Sequence, residues 1–121
     1  MVKMSKKSPL KRGDIVLVSF PFTDLSSLKV RPALIISNDP QQNDIILAFI
    51  SSVTDNPQTF DIVLKNLDPD FLTTGLKKTS VFKMDKILTV ASILIIRRLG
   101  CINPSFQIKI DSALKSALSL S

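Results

Sequence analysis

The side chains best suited to chemistry in this chain are an arginine, two serines and a carboxylate set among lysines. Arg31 stands immediately before Pro32 and an unbroken apolar run, Ala33 to Ile36. A residue before proline is pushed into extended geometry, and proline lacks the N–H that a mid-strand position needs, so Arg31 is expected at the edge where a strand begins. Its guanidinium is a planar fork of donors matched to two phosphate oxygens. A strand aims such a fork more rigidly than a loop does. Ser51 and Ser52 close a second apolar run and offer hydroxyls that could donate to the same anion or orient an attacking group. Lys77, Lys78, Lys83 and Lys86 are the local excess of positive charge in the body of the chain, suited to tracking phosphates, and Asp85 lies among them. The chain has no histidine, which removes the usual neutral-pH acid and base and the commonest metal ligand. It also lacks glutamate, tryptophan and tyrosine, so carboxylate chemistry must come from Asp and base stacking from Phe or Arg.

Each of these residues has a plainer use. Arg31 could be a surface cation paired to Asp14 or Asp24, and Ser51 and Ser52 could cap a loop. Asp85 could cap a turn, and Lys77 and Lys78 could simply be solvated. Cys101, the single cysteine, reads as a small core residue that has no partner for an internal bridge.

The elements that must position these groups are short strands. Ile15 to Phe20, opened by Gly13-Asp14, is rich in β-branched residues, and Pro21 ends its regular pairing. A turn-forming connector, Phe22 to Lys29, carries Thr23, Asp24, Ser26 and Ser27 and joins it to the Arg31 strand. Further strands are expected over Asp44 to Ile50, Phe60 to Leu64, Thr79 to Met84 and Lys86 to Val90, with a reversal at Gly75. Ala91 to Ile102 is ambiguous, and its later part, Arg97 to Ile102, reads as strand. Asn103 is a good N-cap with Pro104 at the first helical position, and Phe106, Ile110, Ala113, Leu114, Ala117 and Leu118 recur at helical spacing. Several strands and one closing helix indicate a small, curled antiparallel sheet or barrel.

Length allows one domain with a real core. We divide the chain into a flexible basic arm, residues 1–11, and a single domain, 12–121. The net charge of +6 is concentrated at the start: Lys3, Lys6, Lys7, Lys11 and Arg12 precede the first acid, and the rest carries eleven basic against ten acidic residues. Such an arm attracts phosphates non-specifically or is merely solvated. No secretory signal is read, and apolar runs such as Ile93 to Ile96, or the longer Ile45 to Ile50, are far too short to span a bilayer, so a cytoplasmic protein with no membrane contact is expected.

The order Arg12-Gly13-Asp14-Ile15-Val16-Leu17-Val18, Phe20-Pro21-Phe22-Thr23-Asp24, a short loop, then Arg31-Pro32-Ala33-Leu34-Ile35-Ile36-Ser37 resembles the opening of the PemK/MazF family of toxin ribonucleases. The likeness continues through Ile50-Ser51-Ser52, Thr79 to Asp85 and Arg97-Arg98-Leu99-Gly100, covering nearly the whole chain. It implies a mainly β fold, an SH3-like barrel with a C-terminal helix, in a two-fold homodimer. It also implies a metal-independent and sequence-selective endoribonuclease without cofactor, acting on single-stranded RNA, with an acidic, partly disordered antitoxin as partner. In such cleavage the substrate's own 2′-hydroxyl attacks phosphorus and leaves a 2′,3′-cyclic phosphate. Catalytic roles fall to Arg31, Ser51 and Asp85. Substrate contacts are expected from Ser52, Lys77, Lys78, Ser80, Lys83 and Thr23, the last on a loop that borders the groove in this family. Two departures matter: Ser51 replaces the usual threonine, and Lys83-Met84-Asp85 stands where some members have Arg-x-Asp, which keeps the charge and loses the fork. The alternative is a non-catalytic barrel that grips nucleic acid or protein, as a gyrase poison or a degenerate toxin.

Overall fold

The computed structural model describes residues 10–20, 29–37 and 43–120. The arm before Leu10, the connector that carries Thr23 and Asp24, and the turn around Pro40 lie outside them.

Six strands form one antiparallel sheet: β1 (Asp14–Phe20), β2 (Lys29–Ile35), β3 (Asp44–Ser51), β4 (Asp61–Leu64), β5 (Ser80–Ala91) and β6 (Ile95–Cys101). The spatial order is β4-β5-β3-β2-β1-β6. β4 and β6 are the two ends and do not pair, so hydrogen bonds leave the sheet open. Side chains alternate across it. Ile15, Leu34, Ala48 and Phe82 go to one face, and Val16, Val18, Ala33 and Leu47 to the other. Burial on both faces is why the run from Ala33 to Ile35 shows no polar alternation.

The helix α1 (Pro104–Ala117) covers the first face, where Phe106 meets Phe82 edge-on at 5.1 Å and Ile110 is fully buried. Its start is fixed by Asn103, whose side chain accepts from the Phe106 N–H at 2.9 Å. Arg12 ties the chain's opening to this helix, pairing with Asp111 at 2.7 Å and donating through Nε to the Ile36 carbonyl at 3.2 Å. Burial pushes the Asp111 carboxyl up, but the hydrogen bonds from Arg12 and Gln107 and the charges of Arg12 and Lys115 outweigh it and hold the group below its ordinary value.

Three boundaries differ from expectation, each for a local reason. β2 starts at Lys29, so Arg31 and Pro32 lie inside it. The strand tolerates Pro32 because β3 pairs only with Ala33 to Ile35, leaving Pro32 with a neighbour on the β1 side alone. β5 is one strand of 12 residues and not two segments. A bulge makes it continuous: Phe49 faces Lys83 and Ala48 faces Ile87, so Met84, Asp85 and Lys86 have no opposite number on β3. β6 begins at Ile95 after a single 3-10 turn, Ser92–Leu94, earlier than the Arg97 start the sequence indicates. Among the described residues, no helix is long and apolar enough to cross a membrane.

Candidate nucleic-acid site

Where β2 and β3 cease to pair, the sheet surface opens into a cavity of about 540 Å³. Its floor comes from the first face of the sheet and from the loop opposite: Leu17, Pro32, Ile50, Leu76 and Leu99. Around this apolar floor stand four cations, Arg31 on β2, Lys77 and Lys78 on the loop before β5, and Arg97 on β6. Two hydroxyl side chains, Ser52 and Ser80, complete the polar lining, and no acidic residue lines it among the described residues. An apolar base for flat groups, ringed by uncompensated positive charge, suits a nucleotide strand.

The lysine-bearing loop is placed by rigid backbone. A 3-10 helix, Pro69–Thr74, is capped by Asp68, whose carboxylate accepts from the Asp70 N–H at 2.8 Å. Asp70 in turn accepts from Asn103 Nδ2 at 2.6 Å, which links this turn to the start of α1. Thr74 is buried and donates to the Phe71 carbonyl at 2.7 Å while accepting from the Leu76 N–H at 3.1 Å. Gly75 follows at φ 74°, a left-handed turn, and its α-carbon lies against the Leu99 carbonyl. Gly100 is its counterpart on β6, where any Cβ would run into the carbonyls of Thr73 and Thr74. Backbone therefore meets backbone, and Thr73 Oγ1 locks the pair by donating to the Cys101 carbonyl at 2.8 Å. We expect Gly100→Ala to force the loop off β6 and cost about 1–3 kcal/mol, read as a lowered thermal midpoint. An unchanged midpoint would refute the close packing.

The structure brings Arg31, Ser52, Lys77, Lys78 and Ser80 to one cavity. Arg31 is exposed, and neither ion pair considered for it is seen: Asp14 is engaged by Arg98 at 3.1 Å, and Asp24 lies outside the described residues. Ser80 is buried and donates to the Lys78 carbonyl at 2.8 Å, so its proton holds the loop in place. Ser51 precedes Ser52 at the end of β3 and is not among the lining residues. Its Oγ accepts from the Val53 N–H at 3.0 Å, a turn-capping bond that leaves the hydroxyl proton uncommitted. Lys83 is half-buried and paired to Asp61 at 3.1 Å, on the side of β5 that faces β4. Asp85 is exposed on the β5 bulge, and neither it nor Lys83 lines the cavity. Thr23 lies outside the described residues.

Arg97 is a site residue that the sequence reading passed over. The signal for it was present, since Arg97 and Leu99 are two apart on a strand and share a face.

A model of the PemK-like, MazF-like toxins of type II toxin-antitoxin systems matches residues 11–118. The chain belongs to this family. The match spans β1 through α1 and includes all four cavity cations. The same architecture recurs in solved structures. An endoribonuclease from a mycobacterial species, in complex with its cognate antitoxin, is 21% identical, with a TM-score of 0.71 over 93% of this chain and 97% of that one. A Deinococcus radiodurans MazE-MazF structure is 18% identical at a TM-score of 0.73, covering 94% of this chain and 100% of that one. The Mycobacterium tuberculosis toxin MazF-mt6 is 20% identical at 0.68, over 89% and 98%. No curated protein matches the chain. The resemblance read from the motif order is thus met, as is the mainly antiparallel PemK/MazF-like fold with its C-terminal helix.

Proposed function

We propose that this PemK/MazF-family toxin is a sequence-selective, metal-independent endoribonuclease that cuts single-stranded RNA by attack of the substrate's 2′-hydroxyl. The observation that carries the reading is the cavity that gathers Arg31, Lys77, Lys78, Ser52 and Ser80 over an apolar floor. The 2′-oxygen forms a bond to phosphorus while the bond to the 5′-oxygen breaks, so one proton must leave the nucleophile and another must reach the leaving group. Arg31 supplies charge to the phosphoryl oxygens as these bonds exchange. A guanidinium with a pKa above about 12 is a poor proton donor, so this electrostatic part is its main role. Ser51 is assigned donation to the same phosphate through its uncommitted hydroxyl proton. Asp85 is assigned a proton-accepting role, which requires the substrate to run from the cavity to the β5 bulge. Ser52, Lys77 and Lys78 hold the strand.

Within this reading the chain works in the cytoplasm as a homodimer, and an acidic, partly disordered antitoxin silences it by covering the cationic cavity. The open, bulged sheet is a variant of an SH3-like barrel, unclosed between β4 and β6. The decisive test is incubation of single-stranded RNA with the protein in excess chelator. Discrete fragments ending in 2′,3′-cyclic phosphate are expected, with DNA of the same sequence left intact. DNA cut at the same rate would sink the mechanism, because DNA has no 2′-hydroxyl. RNA bound and left whole would favour the non-catalytic barrel.

A further inference from the structure

Arg97 and Arg98 are neighbours in sequence with opposite fates. Arg98 turns to the face of β6 shared with Asp14 and pairs with that buried carboxylate at 3.1 Å. Arg97 faces the other way. It lies opposite Leu17 in the β1–β6 register and lines the cavity beside Leu99, exposed and with no carboxylate partner among the described residues. Apolar neighbours can carry the stem of an arginine while its head stays free for an anion.

The register also fixes where Arg97 stands relative to Arg31. Leu17 pairs with Pro32 on one side and Arg97 on the other. Two strand spacings therefore separate the Arg97 backbone from that of Pro32, about 10 Å, and Arg31 adjoins Pro32. Arg31 and Arg97 both line this cavity, no acid lines it among the described residues, and each guanidinium is complete with a single bidentate phosphate.

We propose that Arg97 is a positioning residue that holds a second backbone phosphate, distinct from the one held by Arg31, and so sets how the strand lies across the apolar floor. The proposal rests on the ribonuclease reading only for the identity of the strand. The test uses the full chain and a single-stranded oligoribonucleotide with methylated 2′-hydroxyls, which cannot be cut, and replaces its phosphates one at a time by neutral methylphosphonates. For the wild-type protein, one replacement outside the cleavage step should weaken binding by roughly tenfold. With Arg97→Gln that same replacement should have no further effect, while the phosphate coupled to Arg31→Gln should be a different one. Across the unmodified strand, Arg97→Gln should lower the slope of log affinity against log salt by about 0.7, and Arg97→Lys should leave it near the wild-type value. Equal thermal midpoints would show that the variants fold alike.

Additive effects at every phosphate, or coupling of both arginines to the same phosphate, would overturn the proposal. Cleavage of native RNA in chelator is scored separately. Coupling at Arg97 without cleavage would leave the second phosphate site standing and remove the ribonuclease reading; cleavage without coupling would do the reverse.

Discussion

Arg31→Ala should lower the cleavage rate of single-stranded RNA by a factor of about 10²–10³ and leave the thermal midpoint nearly unchanged. The two halves of this expectation have different sources. The rate falls because a preorganised donor aimed at the charge that develops on the phosphoryl oxygens is worth roughly 3 kcal/mol in the transition state. Stability is spared because Arg31 is exposed, lies where β2 has a neighbour on one side only, and has no ion-pair partner among the described residues. Single-turnover cleavage in chelator, with both variants saturated by substrate, isolates the chemical step from binding. Arg31→Lys should recover only part of the loss, since an ammonium restores charge without the two-pronged geometry. Affinity for a strand with methylated 2′-hydroxyls should change far less than the rate. A variant that cuts within threefold of the wild type would remove Arg31 from the mechanism, whatever else the cavity does.

How far the sequence carried this site depended on whether the relevant constraint was local. The proline after Arg31 announced an extended arginine, and Asn103-Pro104 announced the helix start, because both are properties of adjacent residues. The family's motif order then supplied the fold. What stayed hidden was register. Nothing near Lys83 in sequence says that it faces Asp61 across β4 and β5, and nothing near Arg97 says that Leu17 places it on the cavity wall. The bulge at Met84 to Lys86 had the same effect on Asp85, detaching it from the ladder that positions its neighbours. Gly75 could be read as a reversal from its type alone, whereas the need for glycine at position 100 arises from a carbonyl brought in by a distant turn. Alternation was the one long-range clue available, and it would have separated Arg97 from Arg98.

Lys83→Ala should destabilise the fold by about 3 kcal/mol and shift the thermal midpoint down by on the order of 10 °C. The side chain of Asp61, the partner of Lys83, is 1% exposed and also accepts from the Gln58 N–H at 2.8 Å through the same oxygen, Oδ2. Its other oxygen is buried and has no hydrogen-bond donor among the described residues. Removing the ammonium therefore strands a carboxylate already short of partners, and the penalty belongs to that carboxylate more than to any lost attraction. The double variant Lys83→Met with Asp61→Leu tests this directly, since deleting both charges should recover most of the midpoint. If Lys83 instead served the RNA, the pattern would invert: affinity would fall with the salt slope, the midpoint would hold, and the double variant would bind no better than the single one. The distinction bears on how the Lys83-Met84-Asp85 segment differs from Arg-x-Asp. With its lysine occupied by a structural carboxylate, the phosphate contacts proposed above fall to the cations of the cavity, two of them on a loop held by backbone packing against β6.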